Sequence, residues 1–237
     1  MRRNGIFVSF ARYQSSGFTL VELLVVIALV AVLSAWLLRD FGGTARAAGL
    51  RSGQSALAGI VAVARTKALS SGQASRVLVN IDPGSTETPS RYLRYIVVQT
   101  AVAGSWQTAT SLYLPDGVYL LPGDFPALPN GLFPAGSGSW VRSDGTTVLR
   151  STVLRSSQII SEAIDSPTPE RWVGFSLSAV GTTTQSGDLI LAAGRPRPPG
   201  AMAEGDSPVE MINRETVCGL SLSAYGLAVL INDRDSF

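Results

Sequence analysis

The sequence predicts an α+β protein: a long N-terminal α-helix, transmembrane and then amphipathic, packed on an antiparallel β-sheet head. Three observations carry this. From Phe18 to Leu38 runs an apolar stretch of 21 residues with Glu22 its only charged group. No proline occurs between Phe18 and Ser71, where apolar residues recur at helical spacing. Beyond Ser75, short alternating stretches are separated by turns rich in glycine and proline.

Taken in order, residues 1–17 form a basic leader with Arg2, Arg3 and Arg12 and no acid. Residues 18–38, at about 1.5 Å each, make a helix about 30 Å long, enough to cross hydrocarbon. The leader's arginines place the N-terminus in the cytoplasm and the rest of the chain outside. Residues 39–72 continue the helix as an amphipathic half. Leu50, Leu57, Val61, Ala64 and Ala68 fall on one stripe, and Arg51, Ser55 and Arg65 lie off it. Gly42, Gly43, Gly49, Gly53 and Gly59 each cost a helix up to about 1 kcal/mol against alanine, so a bend or melted turn is expected at Gly42-Gly43. Ser71-Gly72 ends the helix.

The head, 73–237, reads as β. Strands are expected at Ser75–Ile81, Leu93–Thr100 and Ser111–Leu121, the last broken by Pro115-Asp116-Gly117. Shorter strands are expected at Thr147–Leu149 and Gln158–Ile160, inside a loose stretch at 122–171. Gly174-Phe175-Ser176-Leu177-Ser178-Ala179-Val180-Gly181 is echoed by Gly219-Leu220-Ser221-Leu222-Ser223-Ala224-Tyr225-Gly226. In both, apolar residues alternate with serine, the period of a strand with one buried face. Each copy precedes another apolar run, which predicts two strand-turn-strand units of one antiparallel sheet.

Glu22 is the residue that a plain membrane span does not explain, because a lone carboxylate in hydrocarbon is costly. An ordinary secretory signal fits poorly too, since its apolar core is usually about 7–15 residues long. Gly17-Phe18-Thr19-Leu20-Val21-Glu22, with the basic leader before it and the apolar run behind, resembles the class III signal of type IV prepilins and type II secretion pseudopilins. That resemblance implies cleavage between Gly17 and Phe18 by prepilin peptidase, followed by N-methylation of the new amine. It implies that Glu22 serves assembly by pairing with a neighbouring subunit's N-terminus, and that the chain passes from the inner membrane, head in the periplasm, into a pilus or pseudopilus. Partners would be other pilins or pseudopilins, met through the N-terminal helix. Ala64-Arg65-Thr66-Lys67-Ala68, Leu114-Pro115-Asp116-Gly117-Val118 and Phe175–Gly181 resemble marks of the minor pseudopilin H and FimT/FimU-like group; the stretch 122–171 departs from it as an insertion.

Composition excludes several kinds of chemistry. The chain has no histidine, so no Ser-His-Asp set and no histidine metal site can be drawn. Its single cysteine, Cys218, can close no disulfide within the chain. No phosphate-binding loop appears, and no cofactor or metal is expected. Asp233 and Asp235 are too few for a calcium ion's six to eight oxygens. Of 19 basic residues three lie in the leader, so the processed chain carries 16 against 17 acids and is no general polyanion binder. Arg195 and Arg197, in a rigid Gly194–Gly200 loop, are a candidate contact for nucleic-acid phosphates. A structural subunit is therefore expected, with a pilus-tip adhesion or DNA-capture subunit as the alternative. A membrane-anchored enzyme is the reading from another class.

Overall fold

The computed structural model describes the chain from Thr19 onward, except 84–90, 124–129, 134–139, 143–144, 146–148, 156–157, 199, 201, 204 and 213–215; the side chains of 35–45 are also outside the description. Helix α1 spans Leu20–Ser71 and is helical through Gly42-Gly43, so of the bend or melted turn expected there the melted turn does not form. Intrahelical bonding outweighs the glycine cost there. The chain divides into two compact units between Gly43 and Thr44.

In the second unit the helix ends as its sequence dictates. Gly72 takes a left-handed conformation, φ +63°, and Ser71 Oγ donates to the Lys67 carbonyl at 2.7 Å. All five predicted stripe residues are buried, with Ile60 and Gln54 beside them. Gly49 and Gly53, counted above only as a cost, lie against Val118 of the head. A Cβ on Gly53 would lie 2.9 Å from Val118 Cγ1.

Among the described residues ten strands form two five-stranded sheets, and all their named pairings are antiparallel. The first sheet has the order β3-β2-β1-β6-β5, from β1 (Ser75–Asn80), β2 (Tyr95–Val102), β3 (Ser105–Tyr113), β5 (Ile160–Glu162) and β6 (Glu170–Leu177). The second has the order β10-β9-β7-β4, from β4 (Val118–Leu120), β7 (Gly187–Pro196), β9 (Val217–Leu222) and β10 (Ala228–Ile231), with β8 (Val209–Met211) pairing β7. Two sheets instead of one is the main departure from expectation. Only the second echo copy makes a hairpin, β9 to β10. The first ends β6 in one sheet and hands the chain to β7 in the other.

The main core joins the helix stripe to Val77, Val79, Ile96, Val98, Phe175 and Leu220. The outer face of the first sheet holds a smaller cluster of Leu78, Tyr95, Val97, Ile164 and Trp172. Arg91 closes it. Its guanidinium lies 4.4 Å from the Tyr95 ring, donates to the Ile164 carbonyl at 2.8 Å and pairs with buried Glu170 at 3.3 Å.

The strand expected at Ser111–Leu121 is broken at the predicted turn, where Val118 N–H donates to the Pro115 carbonyl at 3.0 Å. Its first part belongs to β3, which begins six residues earlier, at Ser105. That start escaped a hydrophobic reading because Ser105–Ala109 is exposed and holds one large apolar side chain, Trp106. The strand expected at Gln158–Ile160 lies at Ile160–Glu162. The one at Thr147–Leu149 falls largely outside the described residues. The stretch 122–171 is pinned to the head by buried Leu132, Trp140, Leu149, Val153 and Leu154, so it is not uniformly loose.

Candidate functional site

Gly17 and Phe18 lie outside the described residues; the description of the candidate site starts at Thr19. Thr19 and Glu22 stand at the N-cap and third positions of α1, and their side chains close a reciprocal pair of bonds. Glu22 N–H donates to Thr19 Oγ1 at 3.2 Å, and Thr19 N–H donates to Glu22 Oε2 at 2.9 Å. Thr19 Oγ1–H donates to the same carboxylate oxygen at 2.9 Å. This is a capping box, Thr-x-x-Glu, which satisfies donors that a helix start leaves orphaned. The sequence held the signal, threonine three places before glutamate ahead of an apolar run. The cost of a carboxylate in an apolar run hides that signal.

Behind the cap, Leu20 to Leu33 form a helix whose large apolar side chains are all exposed, from Val25 at 50% to Leu20 at 79%. A single helix bare on every side is not a water-facing design. Among the described residues no helix is long and apolar enough to cross a membrane. The described side chains of this run stop at Ser34.

Residues 12–38 match the family model of the prokaryotic N-terminal methylation motif. The chain carries a prepilin-type N-terminus. This prepilin-like segment contains Gly17, Phe18, the Thr19–Glu22 box and the exposed apolar helix. No curated protein sequence matches the chain. Among solved structures it is similar to the minor pseudopilin EpsH from the Type 2 Secretion System of Vibrio cholerae. The two share 15% identity over 78% of this chain and 96% of that one, with a TM-score of 0.39, a likeness too loose to carry an argument.

The head of this prepilin-like chain spends its other candidate residues internally. Arg195 is not in a loop, as expected, but in β7, because Gly194–Pro196 pairs with β8. Its guanidinium meets Glu210 at 2.8 Å. Arg197 donates to the Gly131 carbonyl and faces Asp206 at 3.9 Å, with its side chain largely buried. Each cation thus has a carboxylate beside it, which reduces the field available to a phosphate. Asp233 caps the short 3-10 turn Arg234–Ser236 by accepting from Asp235 N–H. Among the described residues no group of three or more metal-ligating side chains forms. Cys218 is buried under the helix, and burial pushes its thiol up to about 11, opposed by the positive charge of Arg51. Ser70 Oγ donates to the Lys67 carbonyl at 3.3 Å, a bond within the helix.

Proposed function

We propose that the chain is a minor structural subunit of a type II secretion pseudopilus or a type IV pilus. Prepilin peptidase cuts it between Gly17 and Phe18, and it is the substrate of that reaction, not a catalyst. Until assembly it is held in the bacterial inner membrane by 18–38, with its N-terminus cytoplasmic and its head periplasmic. The observation that carries this reading is the N-terminal methylation motif at 12–38, supported by the exposed apolar side chains from Leu20 to Leu33. Contact with other subunits' N-terminal helices, or with lipid, would remove that surface from water at about 25 cal/mol per Å².

Mass spectrometry of the mature N-terminus tests the processing step. An N-methylated start at Phe18 is expected, and any other start overturns the assignment. The capping box adds a sharper experiment on Glu22. Glu22→Gln preserves the box, since glutamine serves at the third position, but removes the charge. If assembly uses an ion pair with a neighbouring subunit's N-terminus, Glu22→Gln is cleaved normally and fails to enter the filament as fully as Glu22→Ala does. Normal incorporation of Glu22→Gln would show that the residue acts only as a cap.

A further inference from the structure

We propose that the groove between the head half of α1 and the open edge of β10 binds an extended peptide segment with a carboxylate at each end, paired to β10 as an added strand of the second sheet.

The backbone comes first. Among the described residues β10 is the terminal strand of its sheet, with β9 on one side only. Ser223 N–H donates to the Leu227 carbonyl at 2.9 Å, so these two residues are a hydrogen-bonded pair. Antiparallel alternation then makes Val229 and Ile231 bond to β9, while Ala228 and Leu230 turn N–H and C=O to the open side. Proteins normally blunt such an edge with charge, proline or a covering loop. Here Thr216–Asn232 holds no charged residue and no proline. Leu227, Val229 and Leu230 are exposed at 52%, 63% and 51%, beside Val180 and Tyr225 at 69% and 70% on the two adjacent turns. Outside the N-terminal apolar helix these are the most exposed large apolar side chains among the described residues.

Charge says what covers them. Two cavities follow the groove, one of about 420 Å³ at Arg51, Cys218 and Asn232, the other of about 350 Å³ at Ala58, Arg65 and Leu227. No acidic residue occurs from Phe41 to Ile81. Among the described residues Arg51 forms no ion pair, and Arg65 donates through Nε to the Tyr225 carbonyl at 3.2 Å without a carboxylate partner. Asp233 and Asp235, the acids nearest in sequence to β10, pair with neither. Among the described residues the groove is therefore an apolar strand edge between two cations without a carboxylate partner. Fourteen helical residues separate Arg51 from Arg65, about 21 Å. An extended chain covers that span in about six or seven residues. A segment of that length with a neutral β-branched middle and acidic ends matches both the edge and the charges, by strand addition.

The test uses the full chain in detergent and three labelled heptapeptides followed by fluorescence anisotropy. Glu-Val-Thr-Val-Thr-Val-Glu should bind at least about tenfold tighter than its lysine-ended counterpart. Methylating alternate backbone nitrogens of the acidic peptide should abolish binding while the protein stays unaltered. Arg51→Glu with Arg65→Glu should reverse the preference, and Val229→Lys should weaken both peptides. Equal binding of the acidic and basic peptides, no binding of the acidic one, or undiminished binding of the methylated one would overturn the proposal. So would a dimer of the chain that Val229→Lys dissociates, because a second copy would then own the edge. The assay needs neither processing nor assembly, so its failure leaves the subunit reading standing.

Discussion

The two echo copies, Gly174–Gly181 and Gly219–Gly226, start from almost the same sequence and end in different places. Their local structure is shared. Ser178 N–H donates to the Thr182 carbonyl as Ser223 N–H does to the Leu227 carbonyl, and Gly181 and Gly226 close the turns at φ +74° and +67°. Their leading glycines are equivalent too. A Cβ on Gly174 would overlap the Val77 carbonyl oxygen, and one on Gly219 the Leu189 carbonyl oxygen. What differs is the space beyond the turn. After the second copy the chain returns beside β9 as β10. After the first, β1 already lies on one side of β6, and β5 covers part of the other. No strand returns there; the Gln185 side chain accepts from Ser176 N–H at 2.9 Å, and the chain leaves for the second sheet. A local formula specifies a strand and a turn, and the neighbours decide whether a hairpin follows.

This comparison can be broken at several points. The largest effect is expected where the copies agree. Gly174→Ala and Gly219→Ala each drive a methyl into a neighbouring strand's carbonyl, so both should abolish the cooperative unfolding transition in circular dichroism. A stable, cooperatively folded product from either would refute the shared close approach.

Next comes a contact only the second copy has. Gln54, buried on the helix, donates to the Gly219 and Ile231 carbonyls at 2.8 and 2.9 Å, tying β9 and β10 to α1. Gln54→Ala should cost about 1–3 kcal/mol by denaturant titration. Amide exchange should speed up in β10 and not in β6. Uniform acceleration across both sheets would count against a tie local to the second copy.

The smallest effect concerns the residue before each leading glycine, Val173 in one copy and Cys218 in the other. Burial holds the Cys218 thiol at about 11, above its ordinary value of about 8.5. The folded state keeps this proton after the unfolded chain has lost it. Its contribution to stability is therefore complete below about pH 8.5 and declines as pH rises toward 11. Cys218→Val, which copies the first unit, should flatten the stability profile between about pH 8 and 10, below the tyrosine range. An unchanged slope would place the alkaline sensitivity elsewhere.

Much of this was legible in the chain. Helix α1 could be read because Leu50, Leu57, Val61, Ala64 and Ala68 repeat at the helical period and all face the core. Its end could be read because Ser71-Gly72 is cap chemistry. The capping box was present in Thr19 and Glu22 but masked by the stronger question of a charge in an apolar run. Residues whose role depends on distant partners could not be read. Gly53 appears as a helix weakness until Val118, sixty-five residues later, is set against it. Arg195 and Arg197 look like a free basic loop until β8 sets Glu210, and the turn before it Asp206, beside them. Nothing near Leu78 in sequence shows that Ile164 and Trp172 join it in a second cluster.

The sequence alone determined the parts whose signals are local: the motif at 12–38, the apolar run, the stripe of the amphipathic helix, and most strands and turns. These follow from residue spacing, because a helix or strand presents its side chains at a set period. The tertiary structure alone decided that there are two sheets, which echo copy becomes a hairpin, which charges are matched and which edge is left open. Those outcomes depend on which segments, far apart in sequence, compete for the same unpaired backbone groups and the same buried space, and no local period records that competition.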